Sequence, residues 1–317
     1  MAPGEASWSA DDLQAIDALA GSMQTDSFLV VHRGRIVHAY GDITKPRNVY
    51  SVRKSVLSVL FGIYLDRGRM DLEQSLATLD VDDVGGLSAQ ERAATVRQLL
   101  QARSGVYHGA AYETRSAKAR RPARDSHPPG TFWYYNNWDF NTLGAIFQRS
   151  VGKTVFEVLQ DDLAGPLQFE DFRAVRDTEF VAESVSRYPA YVMRLSARDL
   201  ARVGLLMARA GRWGDRQLVP ARWVAESTTA YSTVPPGWQG YGYMWWVPRR
   251  AWPFWERSVG DVFFAWGNGG QFLLVDRQRD LVLVHQADRR IIFSNEVTPE
   301  SISPLLQRVL AAVPRNG

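Results

Sequence analysis

The sequence predicts an α+β protein: an antiparallel sheet flanked by helices, with an all-helical lobe inserted between its two halves. Three observations carry that reading. SFLVVHRGRIVHAYG, near the start, has two β-rich runs around Arg33-Gly34 and reads as a hairpin. From about residue 70 to 230 the apolar residues recur mostly at helical spacing. From about 240 the character changes to short β-rich runs, YGYMWWV, VFFAWG, QFLLVD and LVLVHQ, separated by Gly, Asp and Arg as in a meander. Hairpin and meander are expected to share one sheet. The α/β domain is therefore assigned to 1–68 and 232–317, and the inserted helical domain to 69–231.

Taken in order, ADDLQAIDALAG (10–21) reads as an amphipathic helix stopped by glycine. After the hairpin, YSVRKSVLSVLFGIYLDRG reads as a helix of about four turns. Its apolar residues, Val52, Val56, Leu57, Val59, Leu60, Ile63 and Tyr64, cover most of the circumference, which implies burial on several sides. In the middle, AQERAATVRQLLQA, FNTLGAIFQRS, VFEVLQDDL, SARDLARVGLLMARAG and PARWVAEST read as helices. The stretch 108–130 lacks periodicity and is long for a loop, so it is either functional or mobile. SISPLLQRVLAAV closes the chain as a helix.

Composition narrows the function. The chain is 45% hydrophobic and 12% aromatic, enough for a packed core, and its net charge is only +3. The densest basic stretch, KARRPAR (118–124), is too short to suggest a nucleic-acid groove. Cysteine is absent, which excludes disulfides, thiol nucleophiles and thiolate metal sites. The five histidines show no metal spacing, so neither metal nor other cofactor is expected. The start MAPGEASWSADDL lacks the pattern of a signal peptide, and no apolar run is long enough to span a membrane. The expectation is a soluble, cytoplasmic protein acting on a small molecule, with no nucleic-acid or membrane partner; its oligomeric state is not readable.

The basic residues are 33 arginines and four lysines. One lysine, Lys54, follows Ser51 by three positions at the head of the apolar helix, so both side chains lie on one helical face. Arginine stays protonated, whereas a buried lysine can lose its charge and serve as a base. The helix start also favours the negative charge of an alkoxide or oxyanion. A second S-x-x-K, Ser150 to Lys153, contains Gly152 and reads as structural.

Two further segments stand in order behind Ser51-Val-Arg-Lys54. PPGTFWYYNNWDFNTLG carries Tyr135-Asn136-Asn137, and FFAWGNGGQFLLVD carries Asn268-Gly269-Gly270-Gln271. With all three motifs in this order, the chain resembles the serine β-lactamase-related hydrolases of the class C β-lactamase and penicillin-binding-protein superfamily. The nearest branch is that of esterases and 6-aminohexanoate-oligomer hydrolases. The resemblance spans roughly residues 25–290. It implies a β-lactamase/transpeptidase-like fold and a serine hydrolase cleaving an ester or amide. Ser51 would be the nucleophile, Lys54 and Tyr135 the proton-relay pair, and Asn137 an amide orienting Lys54 and the substrate. Asn268, Gly269 and Gly270 would line the substrate site, and the backbone N–H groups of Gln271 and Ser51 would form the oxyanion hole.

Asn268 stands where penicillin-active members carry a cation, so weak or no β-lactam turnover is expected. Tyr107, Tyr112 and Trp266 are candidate walls of an acyl pocket, with core packing as the alternative for Trp266. Arg115, Arg120 and Arg121 could attract a substrate carboxylate or simply be solvated. An acyltransferase using the same acyl-enzyme, and a non-catalytic binding module on the same scaffold, are the alternatives in function.

Overall fold

A computed structural model describes residues 8–235, 237, 239–249, 261–288 and 297–314, so the leading MAPGEAS segment lies outside the described residues. Helix α1 (Ala10–Ser22) is capped by the Ser9 hydroxyl and runs one residue past Gly21. Strands β1 (Ser27–His32) and β2 (Arg35–Gly41) form the expected hairpin, turning through Arg33 and Gly34 at positive φ. The short β3 (Arg47–Asn48) leads into α2 (Val52–Asp66).

The segment read as one helix at AQERAATVRQLLQA is two, α3 (Ala89–Arg92) and α4 (Val96–Leu100). Each starts with its own capping box, Ser88 with Glu91 and Thr95 with Gln98, and the second box restarts the chain. Then come α5 (Arg115–Arg120), α6 (Asn137–Val151) and α7 (Val155–Val158), which continues into a π-helical turn. Next are α8 (Ala174–Asp177), β4 (Thr178–Val181), β5 (Ala190–Leu195), α9 (Ala197–Ala208), the small hairpin β6 (Arg212–Trp213) and β7 (Arg216–Gln217), and α10 (Ala221–Ser227). The antiparallel pair β4–β5, with β3 beside β5, adds strand structure to the middle segment that helical periodicity did not reveal.

The last third supplies β8 (Ser232–Val234), β9 (Gln239–Tyr241), β10 (Trp246–Pro248), β11 (Val262–Gly267), β12 (Gln271–Asp276), β13 (Leu281–Gln286) and α11 (Ser303–Ala312). YGYMWWV is not one strand: Met244, at positive φ, turns β9 into β10. Hairpin and meander do share one antiparallel sheet, in the order β2-β1-β13-β12-β11-β10-β9-β8. The join lies between β1 and β13, where Phe28 faces His285 and Val31 faces Val282.

Helices cover both faces of this sheet. Leu306 of α11 lines a small apolar cavity with Phe28, Phe272 and Leu283. A Cβ on Gly204 of α9 would meet Val282 and Leu273 instead. Side chains alternate along a strand, so α9 and α11 lie on opposite faces. Helix α9 thus covers the sheet although its sequence lies within 69–231. Helix α2 runs between sheet and middle segment, and every residue from Val52 to Tyr64 is buried. Two of its polar groups are matched from outside: Ser55 Oγ donates to the Met244 carbonyl (2.6 Å), and the Trp223 indole donates to the Ser58 carbonyl (2.8 Å).

Candidate active site

Ser51 sits just before α2, partly exposed, with its backbone already in helical geometry (φ −73°, ψ −12°). Its hydroxyl caps no helical N–H. It lies instead 3.1 Å from Lys54 Nζ, one turn on along α2. The same Nζ lies 2.7 Å from the Tyr135 hydroxyl and 2.8 Å from Asn137 Oδ1. The structure therefore brings Ser51, Lys54, Tyr135 and Asn137 onto one amine.

Local structure explains how Tyr135 and Asn137 arrive there. Asn136 caps α6, its side chain accepting from Trp138 N and donating to the Val106 carbonyl. Asn137, the first residue of the helix, is left facing Lys54. Its Nδ2 donates to the Tyr112 carbonyl at 2.7 Å. A carbonyl can only accept, which fixes the amide with Oδ1 toward Lys54. The Tyr135 ring stacks on Trp246 (centroids 5.6 Å apart) and packs edge-on to Tyr241.

Burial sets the electrostatics. Lys54 is 1% exposed, over the rings of Tyr135 and Phe140. Desolvation, seconded by the adjacent Arg53 charge, pushes its amine well below the usual lysine range, against an opposing pull from Glu113. Burial pushes the Tyr135 phenol the other way, up to about 12, although its contact with Ser51 and the Arg53 charge oppose this. At neutral pH the phenol is protonated and the amine is the group most easily made neutral. A Tyr135 phenolate is disfavoured, because burial outweighs the nearby Arg53 charge.

A neutral amine has two N–H bonds and one lone pair. Asn137 Oδ1 takes one N–H, Tyr135 Oη takes the other, and the lone pair is left for the Ser51 hydroxyl hydrogen. This arrangement can accept the serine proton directly and return it through the phenol.

The third motif is the turn between β11 and β12, with Gly269 and Gly270 both at positive φ. Gly267 precedes it, and a Cβ there would stand 2.4 Å from the Val49 carbonyl oxygen and 3.0 Å from Ser51 N. Only glycine lets β11 approach the Ser51 backbone so closely. Gln271 lies across the strand pair from Gly267, its side chain buried and donating to the Ala287 carbonyl. Asn268 occupies the partly exposed turn.

The aromatic candidates divide. Tyr112 belongs to the Lys54 surroundings: its carbonyl holds Asn137, its hydroxyl accepts from Asn48 Nδ2 (2.9 Å), and its ring stacks on Tyr50. Trp266 is partly exposed and packs on Trp246, which links it to Tyr135. Tyr107 is not brought to this group; among the described residues its ring neighbours are His127 and Tyr134. Arg121 is ion-paired with Glu113, while Arg115 and Arg120 are exposed on α5. Lys153 pairs with Asp161 at 2.9 Å just beyond the Gly152 helix stop, so the second S-x-x-K forms no such cluster. Sequence reading missed Gly267 and Arg53, although each adjoins or lies within a motif, and Trp246, whose only signal was an aromatic run.

Comparison with known proteins agrees with this architecture. The chain belongs to the beta-lactamase family of serine hydrolases, whose family model matches residues 13–291. No curated protein matches it. It superposes on a Bacillus anthracis protein provisionally assigned as a 6-aminohexanoate-dimer hydrolase, with TM-score 0.72 and 21% identity over 94% of this chain and 82% of that one. A penicillin-binding-protein homologue from Caulobacter crescentus gives 0.69 and 17%, covering 97% and 99% of the two chains. A beta-lactamase from Mycobacterium bovis gives 0.66 and 18%, covering 94% and 98%. At these identities the likeness is one of fold. Among the described residues no helix is long and apolar enough to cross a membrane.

Proposed function

We propose that this protein cleaves an ester or amide through an acyl-enzyme on Ser51. Lys54 takes the proton from the Ser51 hydroxyl as Oγ attacks the substrate carbonyl. The resulting ammonium donates to Tyr135 Oη while the phenol passes its own hydrogen to the leaving alcohol or amine. The charge on the carbonyl oxygen is met by the N–H groups of Ser51 and Gln271, donors of a kind worth about 3 kcal/mol each. A water molecule then attacks the acyl group, with the relay running in reverse. Atoms balance: water adds across the scissile bond, and the enzyme returns to its starting protonation.

The observation that carries this reading is the convergence of three partners on Lys54 Nζ, at 3.1, 2.7 and 2.8 Å. Ester and amide substrates are favoured over β-lactams because Asn268 brings no positive charge to bind a β-lactam carboxylate. The hydrolase described in the Bacillus anthracis relative, whose named substrate is an amide, points the same way.

The test is intact mass after incubation with a fluorophosphonate, together with p-nitrophenyl ester turnover. We expect one adduct, mapping to the peptide carrying Ser51 and absent in Ser51→Ala. No adduct on any serine, with no turnover, would favour a binding module on the same scaffold.

A further inference from the structure

Arg53 stands between the two residues of the S-x-x-K motif and is 1% exposed. Its guanidinium is poorly satisfied for a buried ion. Nη1 reaches the Tyr50 carbonyl and Nη2 reaches Asn141 Oδ1, both at 3.3 Å, and Nε has no partner among the described residues. It lies over the rings of Tyr191 (5.0 Å) and Tyr112 (5.6 Å). Among the described residues no carboxylate is within ion-pair range of it. Apolar side chains of similar volume often fill such a place at lower cost, so an unpaired buried charge calls for a reason.

The groups around Lys54 supply one. On its own helix the neighbouring charge is Arg53. From the loop before α5 comes Glu113, but that carboxylate is already paired with Arg121. The segment leading into α6 contributes the neutral phenol of Tyr135. Asp139 of α6 accepts from Ser104 and Asn136, and burial pushes its carboxyl well above the usual range. Strands β5 and β9 contribute the buried phenols of Tyr191 and Tyr241. Of these groups, Arg53 is the cation beside Lys54 in sequence that has no carboxylate in ion-pair range among the described residues.

We propose that Arg53 is a positioning residue whose uncompensated charge keeps the neighbouring Lys54 amine free of its proton, ready to receive that of Ser51. The role presupposes the Ser51 acyl-enzyme described above. It is electrostatic and needs no contact with substrate.

The test compares kcat for a p-nitrophenyl ester from about pH 5 to about pH 10 in the full-length wild type and Arg53→Met. Removing the charge should move the acid limb of the Arg53→Met profile upward by about one pH unit or more, so that its loss of rate shrinks as pH rises. If Arg53→Met does not fold, Arg53→Gln takes its place. A uniform loss at every pH with an unmoved limb would overturn the proposal, since that marks a packing role. Fluorophosphonate labelling of wild-type Ser51 separates the two levels. Labelling with an unmoved limb removes the Arg53 role alone, and absence of labelling removes the acyl-enzyme reading and this role with it.

Discussion

Acidification tests how the glycine turn of the third motif is held. His285, on β13, is 1% exposed. Its Nδ1 lies 2.6 Å from the Gly270 carbonyl oxygen and its Nε2 2.9 Å from Thr25 Oγ1. The carbonyl can only accept, so Nδ1 carries the hydrogen and Nε2 accepts from the threonine hydroxyl. The neutral ring thereby ties the turn to the segment before β1. Burial holds the His285 pKa down at about 4, against a usual value of 6.5, and outweighs the Gly270 contact that favours the cation.

The folded chain thus binds this proton less readily than the unfolded chain. The stability contributed by neutral His285 is complete above the unfolded value and is lost as pH falls through the folded one. A separation of about 2.5 pKa units corresponds to about 3 kcal/mol, most of it gone by about pH 4.5. Urea unfolding at about pH 7.5 and about pH 4.5 should be compared for wild type and His285→Asn, which can still donate to Gly270 but does not titrate. The wild type should lose about 2–3 kcal/mol more than the variant on acidification. Other titrating groups, Asp139 among them, are common to both chains and cancel in the difference. Parallel losses would show that His285 is not held neutral, and the account of the turn would fail with it.

Three further outcomes follow from the site and its support. Tyr135→Phe removes the hydroxyl that touches Lys54 Nζ and should lower kcat for a p-nitrophenyl ester by about 10²–10⁴-fold; a full-rate variant would exclude Tyr135 from the relay. Lys54→Met should abolish turnover, and its stability relative to wild type should fall as pH rises toward about 10, because a depressed folded pKa means that the lysine chain gains stability over that range. A relative stability in urea independent of pH would contradict the depressed amine. Gly204→Ala would place a Cβ 2.4 Å from Val282 Cγ1 and 2.8 Å from Leu273 Cδ1. Overpacking of about 1–3 kcal/mol should exceed a helix-propensity gain of about 1 kcal/mol, giving a lower Tm in a calorimetric scan; a higher Tm would mean that α9 can shift off the sheet.

What the sequence disclosed was mostly local. The apolar pattern after Ser51, covering most of the circumference, indicated a helix buried on several sides, and α2 is buried from Val52 to Tyr64. The β-rich runs VFFAWG, QFLLVD and LVLVHQ became β11, β12 and β13 with almost unchanged bounds. What stayed hidden depends on distant partners. Periodicity could mark α9 as amphipathic but not say that its apolar face meets the sheet. The pairing of β4 with β5 draws on residues separated by a loop, in a segment whose dominant pattern is helical. Nothing in the sequence singles out Arg53, because the rings that enclose it, Tyr112 and Tyr191, come from far along the chain. Tyr112 read as a pocket wall, whereas its backbone carbonyl fixes Asn137, an interaction that no side-chain pattern encodes.

The stretch just before α2 breaks two local rules at once, and both breaks serve one end. A serine at a helix start ordinarily accepts from an N–H of the first turn, a contact worth about 1 kcal/mol. Ser51 forgoes it, its backbone already being helical. Tyr50, immediately before it, is held at φ 45°, a conformation costing about 1–3 kcal/mol for a non-glycine residue. Asn48 steadies that residue through a 2.8 Å bond from Tyr50 N to its side-chain oxygen. The combined effect turns the Ser51 hydroxyl away from the helix end and toward Lys54, at 3.1 Å. Two of the three lysines outside the site fit the same logic: Lys45 and Lys153 hold carboxylates 3.0 and 2.9 Å away, as an arginine could. In the mechanism proposed above, arginine would fail at Lys54, because that mechanism requires an amine that can give up its proton, and the strain beside it would then have nothing to aim at.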